Sequence, residues 1–509
     1  MFATLAPSAD RWGGSRLEEF VRVLVIGAGI SGIAMGVRLK RAGIDDFRIL
    51  DETDGLGGTW RINTYPGAAV DIASLIFQFG FRTHPWQRTH ARRQEVLDYL
   101  EQVAEEADLE RHFVFGTRVT EARWDEDEHR WSVTTAAGEI YRAEVLVSAV
   151  GLLSNPNLAA WPGLDTFGGA VMHTQQWRHD VDLADARVAV VGVGSSSAQV
   201  VPAIAPVARS VNVFQREPGW VLPKGERTYD AAELRRTSRA WHRRLDRSVQ
   251  IIRKEWRNLS GRPSYVAGSR RNRAMDQMAR DYIGATFADR PDLREAVTPT
   301  YPFEGKRVVF SDDFYPALKR DNVRLVPRPV ASATPTGLVD VDGEHHEVDV
   351  IVTATGFTAA ELLAGYDVIG RRGRRLRDTW ADGAFAHVGV TVPGYPNFYM
   401  LFGPNTSGSG AVSIYWKSEQ QAAWVVADLR RMQRRGFSAI DTHELACTAY
   451  NAWLQRRLRR TAWARSSNYF KHPSGRIVTQ FDGSITLQWL LLKLGRPLGT
   501  YGLRRGTDA

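Results

Sequence analysis

An α/β fold built from two parallel-sheet units, the second interrupted by a helical insertion, is what this 509-residue sequence predicts. Two glycine-rich turns, each leaving an apolar strand and opening a helix, carry that expectation. So does a length greater than one hydrophobic core supports. The first turn is V-L-V-I-G-A-G-I-S-G (Val23 to Gly32), and 24 positions after Gly27 the apolar run F-R-I-L ends in Asp51. The second is R-V-A-V-V-G-V-G-S-S-S (Arg187 to Ser197), and 24 positions after Gly192 the run V-N-V-F ends in Gln215-Arg216.

In such units the glycines let the backbone approach a pyrophosphate while the helix N-terminus faces the anion. Gly27, Gly29 and Gly32 fill this pattern in the first unit. Gly192, Gly194 and Ser195 fill it in the second, where Ser197 replaces the third glycine and crowds the helix against its strand. The residue closing the second strand sorts the ligands. A carboxylate, Asp51, accepts hydrogen bonds from a free ribose 2′-hydroxyl, as in FAD or NAD, whereas Arg216 next to Gln215 pairs with a 2′-phosphate, as in NADP. Two Rossmann-like dinucleotide-binding domains are therefore expected, one for FAD or NAD and one for NADP.

Residues 21 to about 155 read as β-α-β, a loop-rich stretch and a small antiparallel unit that runs from F-V-F-G-T-R-V to V-L-V-S-A-V-G. Residues 161–335 hold the NADP unit, and about 226–300 within it show arginine-rich helical periodicity, the expected insertion. D-V-I-V-T-A-T-G-F (Asp349 to Phe357) resembles V-L-V-S-A-V-G, so the chain is expected to return there to the first unit. The FAD domain would then be discontinuous, 1–160 and 336–509. Trp60 and the alternating Phe77, Phe79 and Phe81 read as the half-buried face of a strand, core first and pocket wall second. The tail L-R-R-G-T-D-A (Leu503 to Ala509) is expected to fray.

Lys and Arg number 66 against 57 Asp and Glu, a formal charge of +9. The basic residues are scattered, which suits solubility and a polyanionic cofactor better than nucleic acid. Cys447 stands alone, which excludes intramolecular disulfides, a C-x-x-C redox pair and the disulfide reductases. His345-His346 reads as part of a solvated acidic turn, so no metal is expected, and no G-x-S-x-G nucleophile motif is present. The first residues, M-F-A-T-L-A-P-S-A-D-R-W, lack a signal-peptide pattern, and no apolar run reaches the roughly 18 residues of a membrane span. A cytoplasmic location is the expectation, with oligomeric state open. I-T-L-Q-W-L-L-L-K-L (Ile485 to Leu494) reads as a buried helix or substrate-tunnel wall ahead of a membrane-surface element.

G-G-T-W-R-I-N-T-Y-P-G-A-A-V-D (Gly57 to Asp71), with Gly58, Thr59 and Trp60, resembles a signature of the Baeyer–Villiger monooxygenases, class B flavoprotein monooxygenases. F-G-G-A-V-M-H-T-Q-Q-W-R resembles their fingerprint, with Phe167, Gly169, His173 and Trp177 in place and Arg178 where proline or aspartate is usual. Trp177 favours this family over the flavin monooxygenases that oxidise nitrogen and sulfur. F-Q-R-E-P-G-W, Y-P-F-E-G-K-R and F-G-P-N extend the likeness, and N-Y-F (Asn468 to Phe470) stands where many relatives have S-W-Y.

The resemblance implies FAD and NADPH as cofactors, oxygen and a small ketone as substrates, and an ester or lactone formed through a flavin peroxide. It implies that Lys306 helps to hold the NADP 2′-phosphate, that Arg307 sits over the flavin as the key catalytic residue, and that Asp71 orients its guanidinium. Chemistry asks for the same group, since a peroxyanion attacking a carbonyl needs a fixed cation and arginine does not lose its proton. The plainer readings are a solvated Arg307 and an Asp71 that caps a helix. His173 reads as a structural and conformational coupler ahead of a proton-transfer base. Two other functions fit the same residues: oxidation of nitrogen or sulfur in a small molecule, and a non-catalytic redox-sensing flavoprotein.

Overall fold

The computed structural model describes residues 18–260, 264–363, 365–408 and 413–506. The N-terminal leader and the last residues of the tail lie outside the described residues. Strand Glu18–Ile26 anchors the first sheet because Val23, Val25 and their neighbours are apolar on both faces, as a central parallel strand requires. It lies between Phe47–Leu50 and Ile140–Ser148, both parallel to it, with Val25 opposite Ile49 on one side and Val147 on the other. Ile140–Ser148 continues into an antiparallel meander with Arg130–Thr135 and Val119–Asp125. Phe113–Val114, expected in that antiparallel unit, instead adds a parallel edge beside Phe47–Leu50. Trp131, fully buried, donates its indole N–H to the Pro396 carbonyl at 2.8 Å and holds the C-terminal part of the chain on this meander.

The second sheet is parallel throughout, in the order Val323–Val326, Ser210–Phe214, Arg187–Val191, Val350–Thr353, Ala170–His173. Val350–Thr353 was expected to mark the return to the first sheet, with the boundary at 335. It lies instead at the heart of the second sheet, with Ile351 paired to Ala189 and Val171. The cause is steric. At Gly27 (φ +106°) a Cβ would stand 2.7 Å from the Ala149 carbonyl oxygen, and at Gly192 (φ +116°) it would stand 2.5 Å from that of Ala354. Each turn is pressed on a small-residue strand end of its own, so V-L-V-S-A-V-G and D-V-I-V-T-A-T-G-F are alike because each closes its own unit.

The chain leaves and re-enters the first unit through one neck. There Asn157 N–H donates to the Gly356 carbonyl at 2.9 Å and Thr358 N–H to that of Asn155 at 3.1 Å. Beyond the neck, Phe398–Met400 joins the first sheet beside Ile140–Ser148, and helix Ile414–Arg435 packs on helix Ile30–Arg41, with Ser418 and Ser31 hydroxyls 2.8 Å apart. The stretch expected as a helical insertion contains helices Ala231–Thr237, Ala240–Ser260, Arg270–Thr286 and Pro291–Val297. Leu503, expected in a frayed tail, is buried in strand Thr500–Leu503, which pairs with Ala439–Thr442.

Phe77, Phe79 and Phe81 do not lie in a strand. Their loop satisfies its backbone through distant side chains: Glu419 accepts from Gly80 N–H at 2.6 Å and the Tyr99 hydroxyl from Phe79 N–H at 2.8 Å. Alternation here reports rings wedged around Tyr415, 4.9 Å from Phe77 and 4.7 Å from Phe79, without a ladder. His346 likewise is buried in strand His345–Glu347, its Nε2 3.0 Å from Asp340, rather than in a solvated turn. The ligand atoms of Asp340, Glu344 and His346 lie within 4.8 Å of one another. Asp340 braces this turn by accepting the N–H groups of Asp342 and Glu344.

Gly192→Ala should destabilise the second unit by about 2 kcal/mol more than Gly116→Ala, since Gly116 also has positive φ (+66°) but open space around it. Chemical denaturation of the two variants checks the difference.

Candidate active site

The first turn opens helix Ile30–Arg41, whose N-cap, Gly29, offers no side-chain cap, so the first-turn N–H groups stay available to an anion. Gly32 fills the third position, where a Cβ would strike the Gly27 carbonyl oxygen at 1.9 Å. The Gly57–Trp60 segment lies over the same turn. Gly57 N–H donates to the Ala28 carbonyl at 3.0 Å, and a Cβ on Gly58 would come within 3.0 Å of Gly29 Cα. The two bare backbones are therefore in close contact, with no room for a side chain between them. Asp51 closes the strand as expected, its carboxylate accepting from Ala28 N–H at 2.6 Å and from the Thr53 hydroxyl at 2.6 Å. Thr53 N–H also donates to it at 2.9 Å, which leaves one acceptor site of the carboxylate unused within the chain. Thr59 is exposed at the start of helix Thr59–Ile62, and Trp60 meets Phe77 edge to face at 5.5 Å.

The second turn repeats the arrangement with Gly194 as an uncapped N-cap and Ser195 opening helix Ser195–Ile204. Ser197 is fully buried and its hydroxyl finds no partner among the described residues, which is how the crowding at the third glycine position appears in three dimensions. Gln215 is buried too, its side-chain amide donating to the Ala296 carbonyl at 2.7 Å, so it ties the strand to the insertion. Arg216 is exposed and makes no ion pair or hydrogen bond among the described residues. Its neighbour Glu217 pairs with Lys306, which brings a second cation to this strand end.

Lys306 and Arg307, followed by the buried Val308 and Val309, pair with different acids, Glu217 and Asp71. Arg307 crosses to the first unit and forms a close ion pair with Asp71, 236 positions earlier in the chain. The guanidinium remains 49% exposed against 20% for the carboxylate, so it offers free N–H groups to the cleft. Burial alone raises the Asp71 carboxyl, but the Arg307 charge and hydrogen bond outweigh it and hold the group below its ordinary value, while Asp71 raises Arg307 further. The sequence reading missed a third member, Tyr469, whose hydroxyl comes beside the guanidinium. Asn468 positions it by donating to the Gly305 carbonyl at 2.9 Å. The only signal was the N-Y-F departure itself.

Asp71 is delivered to this meeting point by the Y-P-G-A-A segment, which packs against the second unit's first helix. Tyr65 donates its hydroxyl hydrogen to Gln199 Oε1 at 2.9 Å, and Gln199 returns a bond to the Ala69 carbonyl at 3.0 Å. The fingerprint residues lie on the far side of the second sheet. Phe167 and Trp177 are partly buried against two hydrophobic clusters, and Gly169 fits under the Asp349 carbonyl. His173 ends strand Ala170–His173, where its Nδ1 accepts from Gln175 N–H at 3.1 Å and its ring meets Phe357 of the neck at 5.9 Å. Burial lowers its pKa, which keeps the imidazole neutral at neutral pH. Gln175 also donates to the Ser154 carbonyl at 3.2 Å, so His173 and Gln175 grip both strands of the neck. Arg178 pairs with Asp180 at 2.6 Å on the surface, away from the cleft.

A family model described as "Pyridine nucleotide-disulphide oxidoreductase" matches residues 24–232, the stretch that holds both glycine turns. The chain has one cysteine and hence no redox dithiol. It is similar to a Baeyer–Villiger monooxygenase of Pseudomonas aeruginosa, 37% identical over 472 residues that cover 91% of this chain and 88% of that protein. Among solved structures it is similar to an oxidized steroid monooxygenase bound to NADP, with TM-score 0.85, 29% identity and coverage of 95% of this chain and 100% of the other. The complex of OTEMO with FAD and NADP also has TM-score 0.85, at 25% identity, covering 95% and 99%.

A group held below its ordinary value contributes stability above that value and loses it as pH falls through the lowered one. A carboxyl titration followed by NMR should therefore give Asp71 a midpoint below 3.8 in the wild type. In Arg307→Ala the midpoint should move above 3.8, because burial is left without its counter-charge.

Proposed function

Because the chain belongs to the Baeyer–Villiger monooxygenase family, whose members are FAD- and NADP-dependent monooxygenases, we propose that it converts a ketone to an ester or lactone. The balance is ketone, oxygen, NADPH and a proton giving ester, NADP and water. The single observation that carries the reading is the Arg307–Asp71 pair, a permanent cation held by a carboxylate from the other unit and still half exposed. The first turn, with Asp51, Gly29 and Gly58, fits FAD; the second, with Gly194, Arg216 and Lys306, fits NADPH. The NADP unit comprises residues 161 to about 354, and the FAD unit the chain on either side of it.

When bound and reduced, the flavin supplies the activation of oxygen. The protein's share is orientation and charge. Arg307 stabilises the negative charge that develops on the carbonyl oxygen as the new C–O bond forms, and it does so without moving, because Asp71 fixes the guanidinium plane. Tyr469 limits the approach to the exposed side of that plane. Lys306 exchanges Glu217 for the 2′-phosphate of the coenzyme, with Arg216 as the second donor. His173, neutral and wedged against the neck, acts as the coupler that keeps the second unit in register with the first during hydride transfer.

Arg307→Ala should retain bound FAD while ester formation from a cyclic ketone falls by about a hundredfold or more, measured as product per NADPH consumed. A thioether supplied in parallel separates this reaction from heteroatom oxidation, and sulfoxide as the sole product would defeat the ketone reading. Arg216→Ala should raise KM for NADPH by about tenfold to a hundredfold, the worth of one charge-assisted hydrogen bond, and leave KM for NADH nearly unchanged.

A further inference from the structure

Polar side chains make the anchoring contacts of helix Ala240–Ser260: Arg243 bonds the Thr83 hydroxyl at 3.2 Å, Asp246 pairs with Arg236 at 2.9 Å, and Glu255 accepts the N–H groups of Ile485 and Thr486. Its outward face carries Trp241, Leu245, Ile252, Trp256 and Leu259, between 52% and 70% exposed and spaced three, four or seven apart along one stripe. Arg244 and Arg253 are exposed on this helix, and its two acidic residues, both half-buried, are engaged by Arg236 and by the Ile485 and Thr486 N–H groups.

Glu255 ties this helix to the first turn of helix Ile485–Gly499, which was expected to be buried. That second helix buries Ile485, Gln488 and Leu492 but exposes Trp489, Leu490, Leu494 and Leu498, with Lys493 as the charge among them. Farther along it, Arg496 borders a cleft of about 680 Å³ lined also by Arg38, Arg41, Arg430 and Arg434, with no carboxylate among the lining residues. Exposed apolar side chains, exposed arginines and a basic cleft are thus connected through these two helices.

From this arrangement we propose that the two helices form a docking surface for an anionic phospholipid bilayer, the apolar side chains entering the headgroup boundary and the arginine cleft taking headgroup phosphate. Tryptophan, leucine and cations along the outward side of a helix are what an interfacial helix needs. Charge selects this occupant over a second copy of the chain. A twofold interface sets the same patch against itself, and here that would oppose arginine to arginine, since the acids near the patch, Asp246, Glu255 and Asp428, are already engaged within the chain. No helix among the described residues is long and apolar enough to cross a membrane, so attachment is at the surface.

The test is co-sedimentation of the flavin-loaded enzyme with vesicles of phosphatidylcholine alone and of phosphatidylcholine with phosphatidylglycerol. The wild type should pellet with the anionic vesicles, less so at raised salt, and stay in solution with the neutral ones. The double variant Ile252→Glu with Leu494→Glu should lose about tenfold or more in partitioning, with flavin content and NADPH oxidation unchanged. Three results would overturn the proposal: no pelleting of the wild type with either vesicle, equal pelleting of the variant, or a wild-type dimer that the same substitutions dissolve while vesicles bind neither protein.

Discussion

The bridge between Arg307 and Asp71 is the interaction on which the geometry of the cleft depends. With the guanidinium half exposed, the pair contributes about 1 kcal/mol or less to stability, as surface-accessible pairs do. Its effect is positional. One partner comes from each unit, so the pair joins them at a point away from the neck, beside the Tyr65–Gln199 bond. Removing the cation would leave a carboxylate in surroundings that favour its protonated form. The same pair thus links the units and preserves a charge.

Around it, both units apply one local rule. A bare turn is pressed against the backbone of a small-residue strand end, Ala149 in the first unit and Ala354 in the second. Each strand end then leads straight into the neck, where residues 155–157 and 356–358 bond to one another. In both copies the turn touches a strand end that lies only a few residues from the neck in the chain. His173, packed on Phe357, sits at that relay.

What the sequence disclosed was what short stretches determine by themselves. The strand, turn and helix around Gly27 and Gly192, and the charge at Asp51 and Arg216, are local in chain and in space. The sheet that receives Val350–Thr353 was not legible, because an apolar run tells that a strand is buried and not which neighbours bury it. Phe77, Phe79 and Phe81 misled for the opposite reason, as their period of two arises from packing around Tyr415 while Glu419 and Tyr99 supply the backbone partners from afar. Tyr469 was visible only as a departure from a pattern, since its meaning depends on an arginine far away in sequence. For helix Ala240–Ser260 the periodicity revealed the element but not its orientation, because an amphipathic stripe does not declare which side is out.

The paired strands of the neck constrain movement in a particular way. Two separate tethers at different places would let the second unit slide, tilt and swivel. Two strands bonded side by side behave as one strap, which twists readily about its length and resists shear. Rotation about its own length is thus the displacement the neck resists least, and the contacts that cross between the units away from it, Arg307 with Asp71 and Tyr65 with Gln199, are what oppose that rotation.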